Sequence, residues 1–484
     1  MDLTLDPAQE RAVGLPPGRA TLVLGEAGHG KTTVALHRLA HLARAARRPF
    51  RAAVVVPTEG LRGLCERTLV HLGADWPVWI YEHFARRQAR RVFPDLPRRE
   101  SQDISAATMR LKRDPAVASA VALIAERPPG VIDDDEDAPP LDRSTRAVRG
   151  DLQHLFGDRL LLEQLVARSD GRVPRHAVAE TLEHTHVQFG LTGEQTWAHV
   201  EDRKRLVPVD RRSLDEGTPD ADAGSIDTED YAVLFAIERA RAARERARPA
   251  RPRTYHCLVV DEAQWFAPIE LAILGRSLAK GGTLIVAGDA DQRLDVDGHF
   301  AGWSEAMQAL GCDDYERVVL DVSYRCPPEV FTLAKQALGE TPVDPEGTPI
   351  ALFASAPDRS AWLASTLERL TENDPRAAIA VLTRSPRAAR RIADDLRRAL
   401  VAARLVWGGD FSLAPGVDIT TIDQVRGMEF DHVIVADASA ASFGDDVASR
   451  RAMYVAITRA RRSARLASVG PPATFLVPAH DARG

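Results

Sequence analysis

Short apolar runs alternate with segments of helical periodicity along most of the chain. Residues 20–24 (ATLVL), 51–57 (RAAVVVP), 76–81 (WPVWIY), 255–260 (YHCLVV) and 282–287 (GTLIVA) are almost continuously apolar, as strands covered on both faces of a parallel sheet are. Helical patterns follow the first three, at 34–46, 58–72 and 82–91, the last with Arg86, Arg87, Arg90 and Arg91 on its exposed faces. Pro7 opens a further capped helix ahead of the first strand. Between 92 and 230 strand-like runs disappear, helical segments such as 152–168 and 173–189 dominate, and loops lengthen. After an arginine-dense helix at 236–253 sheet character returns. Runs at 317–322, 350–353, 377–383, 417–422 and 432–436 form a second alternating set. The pattern predicts an α/β protein with two parallel-sheet domains in tandem. The first comprises 1–91 and 231–310 and is interrupted by a helical insertion at 92–230; the second spans 311–484.

Composition narrows the class. The chain has 484 residues, 45% of them hydrophobic, enough for several cores. Sixty-three Lys and Arg against 69 Asp and Glu give a formal charge of −6, so any nucleic-acid contact must be local. Cys65, Cys257, Cys312 and Cys326 are scattered without C-x-x-C spacing, which argues against a zinc ribbon or disulfide framework and for a reducing compartment. No apolar run nears the ~18 residues of a membrane span, and the N-terminus lacks a basic, then apolar, leader. A soluble, cytoplasmic protein is expected. The acidic stretches 133–137 and 215–230 read as solvated loops, and His184 and His186, two apart on a helix, as ordinary histidines that share no face.

Residues 25–33 (GEAGHGKTT) stand between a strand and a helix and fit G-x-x-x-x-G-K-[ST]. In that pattern backbone N–H groups wrap phosphates at a helix N-terminus, here from Gly25, Gly28 and Gly30 through Thr33. Lys31 reaches the outer phosphates and Thr32 holds magnesium. Glycine at 25 and 30 lets the backbone approach the phosphates. Asp261 and Glu262, adjacent carboxylates at the end of an apolar strand, complete a hydrolytic set. Asp261 joins Thr32 on the magnesium, and Glu262 orients and deprotonates the attacking water. The plainer reading of Asp-Glu, an N-cap with an acidic first turn, does not explain its pairing with a phosphate loop. Gln292 follows a further strand, where it could sense the terminal phosphate. Gln9 could read an adenine edge, or be an exposed helix glutamine.

The order of these stretches resembles superfamily 1A helicases of the UvrD/Rep/PcrA type and, within them, the HelD-like branch. Gln9 matches the adenine-reading motif and residues 25–38 the first motif in its HelD form. Residues 261–264 (DEAQ), 288–292 (GDADQ), 323–325 (SYR), 420–430 (TTIDQVRGMEF) and 451–460 (RAMYVAITRA) match the later ones in order. The resemblance implies two RecA-like domains with ATP and Mg²⁺ in the cleft between them. It implies that Arg325 and Arg459 reach the terminal phosphate from the second domain, that Tyr324 stacks on the base, and that Glu429 meets the ribose. It further implies translocation on single-stranded DNA with 3′ to 5′ polarity; no residue of the pattern separates DNA from RNA.

Three departures qualify it. Only 401–416 stand where relatives insert the 2B subdomain, so that part is expected as a loop, a change that bears on processive unwinding more than on ATP hydrolysis. Residues 293–298 (RLDVDG) lack the aromatic that stacks on bases in relatives, a contact worth ~1–3 kcal/mol per base. Phe84, Trp303 and Trp407 are the substitutes to consider, against the commoner role of such rings in a core. With few residues before Gln9, the arm by which HelD enters RNA polymerase is not expected here. A second reading therefore stands beside the first: a nucleic-acid-stimulated ATPase subunit that regulates or loads a partner, such as the nuclease of an antiphage pair.

Overall fold

The computed structural model describes residues 5–25, 28–46, 49–126, 142–202, 206, 214–289, 300–320, 327–342, 350–409, 411–412, 414–425 and 427–477. In chain order the first part runs α1 (Pro7–Gly14), β1 (Ala20–Gly25), α2 (Lys31–Ala45), β2 (Ala52–Val56), α3 (Glu59–His71), β3 (Val78–Ile80) and α4 (Tyr81–Val92). A run of helices follows: α5 (Ala106–Arg113), α6 (Ala116–Glu126), α7 (Thr145–Gly157), α8 (Arg159–Arg168), α9 (Ala177–Gln188), the single turn α10 (Gly193–Thr196) and α11 (Asp230–Arg244). The chain then returns to sheet with β4 (Tyr255–Val260), α12 (Pro268–Arg276), β5 (Leu278–Gly288), α13 (Trp303–Ala309) and β6 (Tyr315–Leu320). The remainder is α14 (Pro328–Leu338), β7 (Ile350–Phe353), α15 (Ala356–Asn373), β8 (Ala378–Thr383), α16 (Pro386–Arg398), β9 (Arg404–Leu405), β10 (Gly416–Thr421), β11 (Phe430–Val435), α17 (Val447–Thr458) and β12 (Ala460–Val469).

These strands form two six-stranded, all-parallel sheets, ordered β3-β2-β4-β5-β1-β6 and β7-β12-β11-β8-β10-β9. The expected two-domain α/β architecture is present, and the continuous apolar runs explain it. In β1, β2, β4 and β5 alternate residues feed opposite faces. Val23, Val54, Val259 and Ile285 pack toward α2 and α3, whereas Leu22, Val55, Leu258 and Val286 pack toward α4, α11 and α12. The insertion shares this second core through Leu111, Val148, Leu155 and Phe156, so its burial is part of the first domain's own. Each such side chain contributes roughly 1.5–3 kcal/mol on leaving water. The two ends of the insertion are tied to each other: Ser101 Oγ lies 2.7 Å from Ser225 Oγ, and Asp222 accepts from the backbone of Gln102 and Asp103 at 2.9 and 3.1 Å.

Several expectations change. The strand read at 317–322 is β6, and it pairs with β1 in the first sheet rather than opening the second. Local pattern gives a strand's existence, whereas its sheet is set by long-range pairing. The helix read at 152–168 breaks after Gly157, because Asp158 caps a new helix by accepting from the N–H groups of Leu160 and Leu161. The arginine-dense helix ends at Arg244. The acids of 215–230 are not uniformly solvated: Asp227 and Asp230 are buried, and both take a hydrogen bond from the equally buried Lys112. His184 joins the same cluster, its Nε2 2.9 Å from Asp227 Oδ1. Residues 401–416 carry β9, a two-residue edge strand beside β10. The acidic stretch at 133–137 lies outside the described residues. Among those described, no helix is long and apolar enough to cross a membrane.

Candidate active site

β1 leads into the stretch expected to bind phosphate, and α2 begins at Lys31 directly after Gly30, which adopts a left-handed φ of 80°. Two glycines here answer to neighbours as well as to any ligand. A Cβ on Gly25 would lie 3.0 Å from both the Leu320 carbonyl and the His29 Cβ, and one on Gly30 would lie 2.8 Å from Gln9 Nε2. His29 is buried and its Nδ1 sits 2.5 Å from Leu320 O, a pure acceptor, so Nδ1 carries the proton. Gln9 is buried, against the plain expectation of an exposed helix residue. Its Oε1 accepts from Asp6 N at 3.2 Å, and its Nε2 donates to His29 O at 3.2 Å. The N-terminal helix is thus tied to the turn that precedes Lys31.

A residue the sequence reading gave no role completes this tie. Arg38 on α2 is fully buried and donates to the carbonyls of Ala12, Val13, Leu15 and Pro16, the unsatisfied end of α1. A lone cation on an otherwise apolar helix face was the available signal.

The catalytic candidates from β1, β4 and β5 converge at the carboxyl ends of those strands. Thr32 Oγ1 donates to Asp261 Oδ2 at 2.7 Å, joining positions 229 apart in the chain. Lys31 Nζ donates to Gly25 O at 2.6 Å and lies 3.6 Å from Asp289 Oδ2. Glu262 sits in the left-handed region at φ 51°, a conformation costing a non-glycine residue roughly 1–2 kcal/mol, and is held there by contacts on both sides. Its N–H donates to Asp261 Oδ1 at 3.1 Å, and its Oε2 accepts from Gln264 Nε2 at 2.5 Å. Gln264 Oε1 in turn accepts from Asp289 N at 3.2 Å. Gln264 therefore couples the two strand ends, a role that nothing in the residue pattern disclosed. From the insertion, Arg113 clamps the next turn, donating to both oxygens of Glu270 at 3.0 Å and to Trp265 O at 2.8 Å.

Burial raises the Asp261 carboxyl to about 7, and the neighbouring Glu262 charge adds to the rise. Two crowded, buried carboxylates with a hydroxyl at 2.7 Å make a site whose charge a divalent cation would relieve. The donors are all oxygen, as magnesium prefers, and one hydroxyl and one carboxylate suffice for an ion that keeps most of its waters. Thr32 and Asp261 fit that ion.

The second domain meets the first at α3. A Cβ on Gly60 would lie 2.6 Å from Met428 Sδ, one on Gly427 would lie 2.4 Å from Leu61 Cδ1, and Arg67 donates to Ser412 O at 2.9 Å. Trp265, four residues past Asp261, packs against the second domain's core. Arg459 ends α17 on this side. It is 4% exposed and donates to Val455 O, Met428 O and Thr458 Oγ1, three neutral oxygens. Among the described residues it makes no ion pair, an unusual state for a buried guanidinium. Glu429 is held by Arg461 at 2.8 Å within its own domain.

Of the expected stacking rings, Phe84 is 1% exposed in the first core, Trp303 is half-buried against Phe300, and Trp407 is half-buried with Arg390 over its face. Phe84 is a core residue, too deep to meet a base. Gln292, Tyr324 and Arg325 lie outside the described residues.

Residues 416–467, from β10 into β12, match the family model of the UvrD-like helicase C-terminal domain. No curated protein matches the chain. Among solved structures, the C-terminal domain of a possible DNA helicase from Lactobacillus plantarum matches with 20% identity and a TM-score of 0.29, over 33% of this chain and 96% of that one. From β10 to β12, the stretch that includes Glu429 and Arg459, this chain is similar to the C-terminal domain of UvrD-like helicases.

Proposed function

We propose that the protein is an ATP-dependent translocase or helicase acting on single-stranded DNA, with the 3′ to 5′ polarity of UvrD-like enzymes. The observation that carries the reading is the 2.7 Å contact between Thr32 and Asp261 beside Lys31 and Glu262, in a chain whose residues 416–467 match the UvrD-like helicase C-terminal domain. Kinases and GTPases share the phosphate loop, but not that second domain.

In this reading Gly25, Gly28, Gly30 and Thr33 wrap the phosphates and Lys31 leaves Gly25 O for the outer ones. Glu262, aimed by Gln264, takes the proton of the attacking water. Magnesium on Thr32 and Asp261 would supply positive charge to the phosphate oxygens. Arg459, already buried without a counter-charge, contributes its guanidinium from the second domain together with Arg325, so that hydrolysis waits on closure; such arginines are worth about 10³–10⁵ in rate. Gln292 senses the terminal phosphate, Tyr324 and Gln9 hold the base, and Glu429 the ribose. Repeated closure moves the domains along a strand held mainly by its backbone, so binding falls steeply with salt. The HelD-like affinity rests on residues 25–38 alone.

One observation favours the second reading, an ATPase that loads or regulates a partner such as a nuclease: among the described residues of 401–416, β9 alone precedes β10 where relatives carry 2B. Strand displacement on a 3′-tailed duplex separates the two. Displacement supports the helicase; DNA-stimulated hydrolysis without displacement supports the partner-loading ATPase; hydrolysis indifferent to nucleic acid contradicts both.

A further inference from the structure

The amino-terminal edge of the first sheet carries a second concave site that the ATPase reading does not use. Thr254, just before β4, and Lys280, near the start of β5, line a cavity of about 630 Å³ with Arg239, Arg251, Arg276 and Gln308. Asp261 follows the other end of β4, so the six residues of that strand put this cavity about 20 Å from the Thr32–Asp261 contact. Four cations line it and no carboxylate does.

Among the described residues, three of its four cations are not spent on the protein. Arg239, Arg251 and Lys280 are exposed and make no ion pair among the described residues. Only Arg276 is engaged: it donates to Phe235 O at 3.2 Å and to Ala250 O, and lies 3.7 Å from Glu238. Burial and the neighbouring Arg239 charge both lower its pKa, though Glu238 opposes them. Compensation of a helix C-terminus accounts for Arg276, in the last turn of α12, but not for Arg251 or Lys280, which lie on no helix. The loop carrying Arg251 is also fixed on both sides. Ala250 N donates to Glu238 Oε1 at 2.9 Å, and Arg253 N to Gln88 Oε1 at 2.7 Å. An unpaired arginine held between two anchored residues enters binding with its backbone order already in place. In a chain of net charge −6, an uncompensated basic hollow attracts anions locally.

We propose that this cavity is a second phosphate-recognising site, taking the phosphate groups of a polyphosphate compound or of a nucleic-acid backbone. Arg251 and Arg239 supply forked donors, Lys280 a mobile charge, and Thr254 and Gln308 neutral hydrogen bonds. The site is independent of the nucleotide site, and the Lys31→Ala protein keeps the two apart. In that background, inorganic tripolyphosphate is titrated by calorimetry and fluorescein-labelled (dT)20 by anisotropy, with and without Arg251→Glu and Lys280→Glu together. Reversal should weaken tripolyphosphate binding about tenfold or more, as expected for the loss of charged hydrogen bonds, while the same reversal at exposed Arg168 and Arg175 changes it less than twofold. A parallel loss for (dT)20 identifies a nucleic-acid backbone as the source; a loss for tripolyphosphate alone identifies a small compound. No binding of either probe to the Lys31→Ala protein, a change below twofold for both, or an equal loss in the control reversal overturns the proposal.

Discussion

Replacing Lys112 by methionine should unsettle the helical insertion. The ammonium and the carboxylates of Asp227 and Asp230 are all 0% exposed. Without it Asp227 keeps His184, and Asp230 keeps Gln188 Nε2 at 2.6 Å and Asp227 N at 3.0 Å, but neither keeps a buried cation on α5. Breaking a buried pair by removing one partner costs about 3–5 kcal/mol. In a domain of 150–250 residues that is a melting-temperature loss of roughly 6–20 °C. Methionine and lysine have similar helix propensities, so the loss reports charge. The sign with pH is specific. Burial alone would raise the Asp227 carboxyl, but Lys112 and His184 outweigh it and hold it below the ordinary range; Asp230 stays raised by burial, with Lys112 opposing. Asp227 therefore adds stability above its unfolded pKa of about 3.9, retained in the wild type until the pH falls through the depressed folded value. In the variant both carboxyls rise, so its penalty is relieved as they protonate. Differential scanning fluorimetry from pH 7.5 to 4.5 should show the gap between wild type and Lys112→Met narrowing as pH falls. Adding Asp227→Asn and Asp230→Asn should restore most of the loss at pH 7. A loss under about 2 °C at pH 7, or a gap constant across the range, would refute the reasoning.

Lys31→Ala and Glu262→Gln should each stop turnover, but Glu262→Gln should still bind ATP; a drop of at least about 10²-fold in kcat is expected for a lost general base, and retained hydrolysis in both contradicts the site assignment. Asp261→Asn keeps an acceptor for Thr32 and removes a carboxyl that burial raises to about 7. Its unfolded pKa is about 3.9, so in the wild type the penalty is full above pH 7 and fades as pH falls. In metal-free solution Asp261→Asn should melt higher than wild type at pH 8, with the difference closing toward pH 5 and magnesium-dependent hydrolysis lost. Arg38→Met leaves the carbonyls of Ala12, Val13, Leu15 and Pro16 without their donor, each costing about 1–3 kcal/mol where water cannot replace it. Amide exchange should then show α1 opening ahead of β1.

The parallel strands were legible because burial on both faces makes them continuously apolar: the bounds of β4 and β7 match the residue pattern, and β2, β8 and β10 lie within a residue or so. Thr32 and Asp261 were legible as partners because a phosphate loop and a strand-end carboxylate have one chemistry in common. What escaped depended on contacts between distant positions. No local pattern assigns β6 to the first sheet, hides Asp227 and Asp230 around Lys112, or turns Gln264 toward both Glu262 and Asp289. Gln9 could be read as an adenine reader or an exposed helix glutamine, but not as a buried tie, because its partner, His29 O, is a backbone atom that no side-chain pattern reveals.

The central claim is that this site hydrolyses ATP in response to a nucleic-acid strand. Its most direct test is steady-state magnesium-ATP hydrolysis by the full chain with and without single-stranded DNA, with Glu262→Gln as the blank. The account predicts hydrolysis that rises severalfold with single-stranded DNA and loses that rise as salt is added. Hydrolysis equal with and without any nucleic acid, or equal in the Glu262→Gln protein, would contradict it.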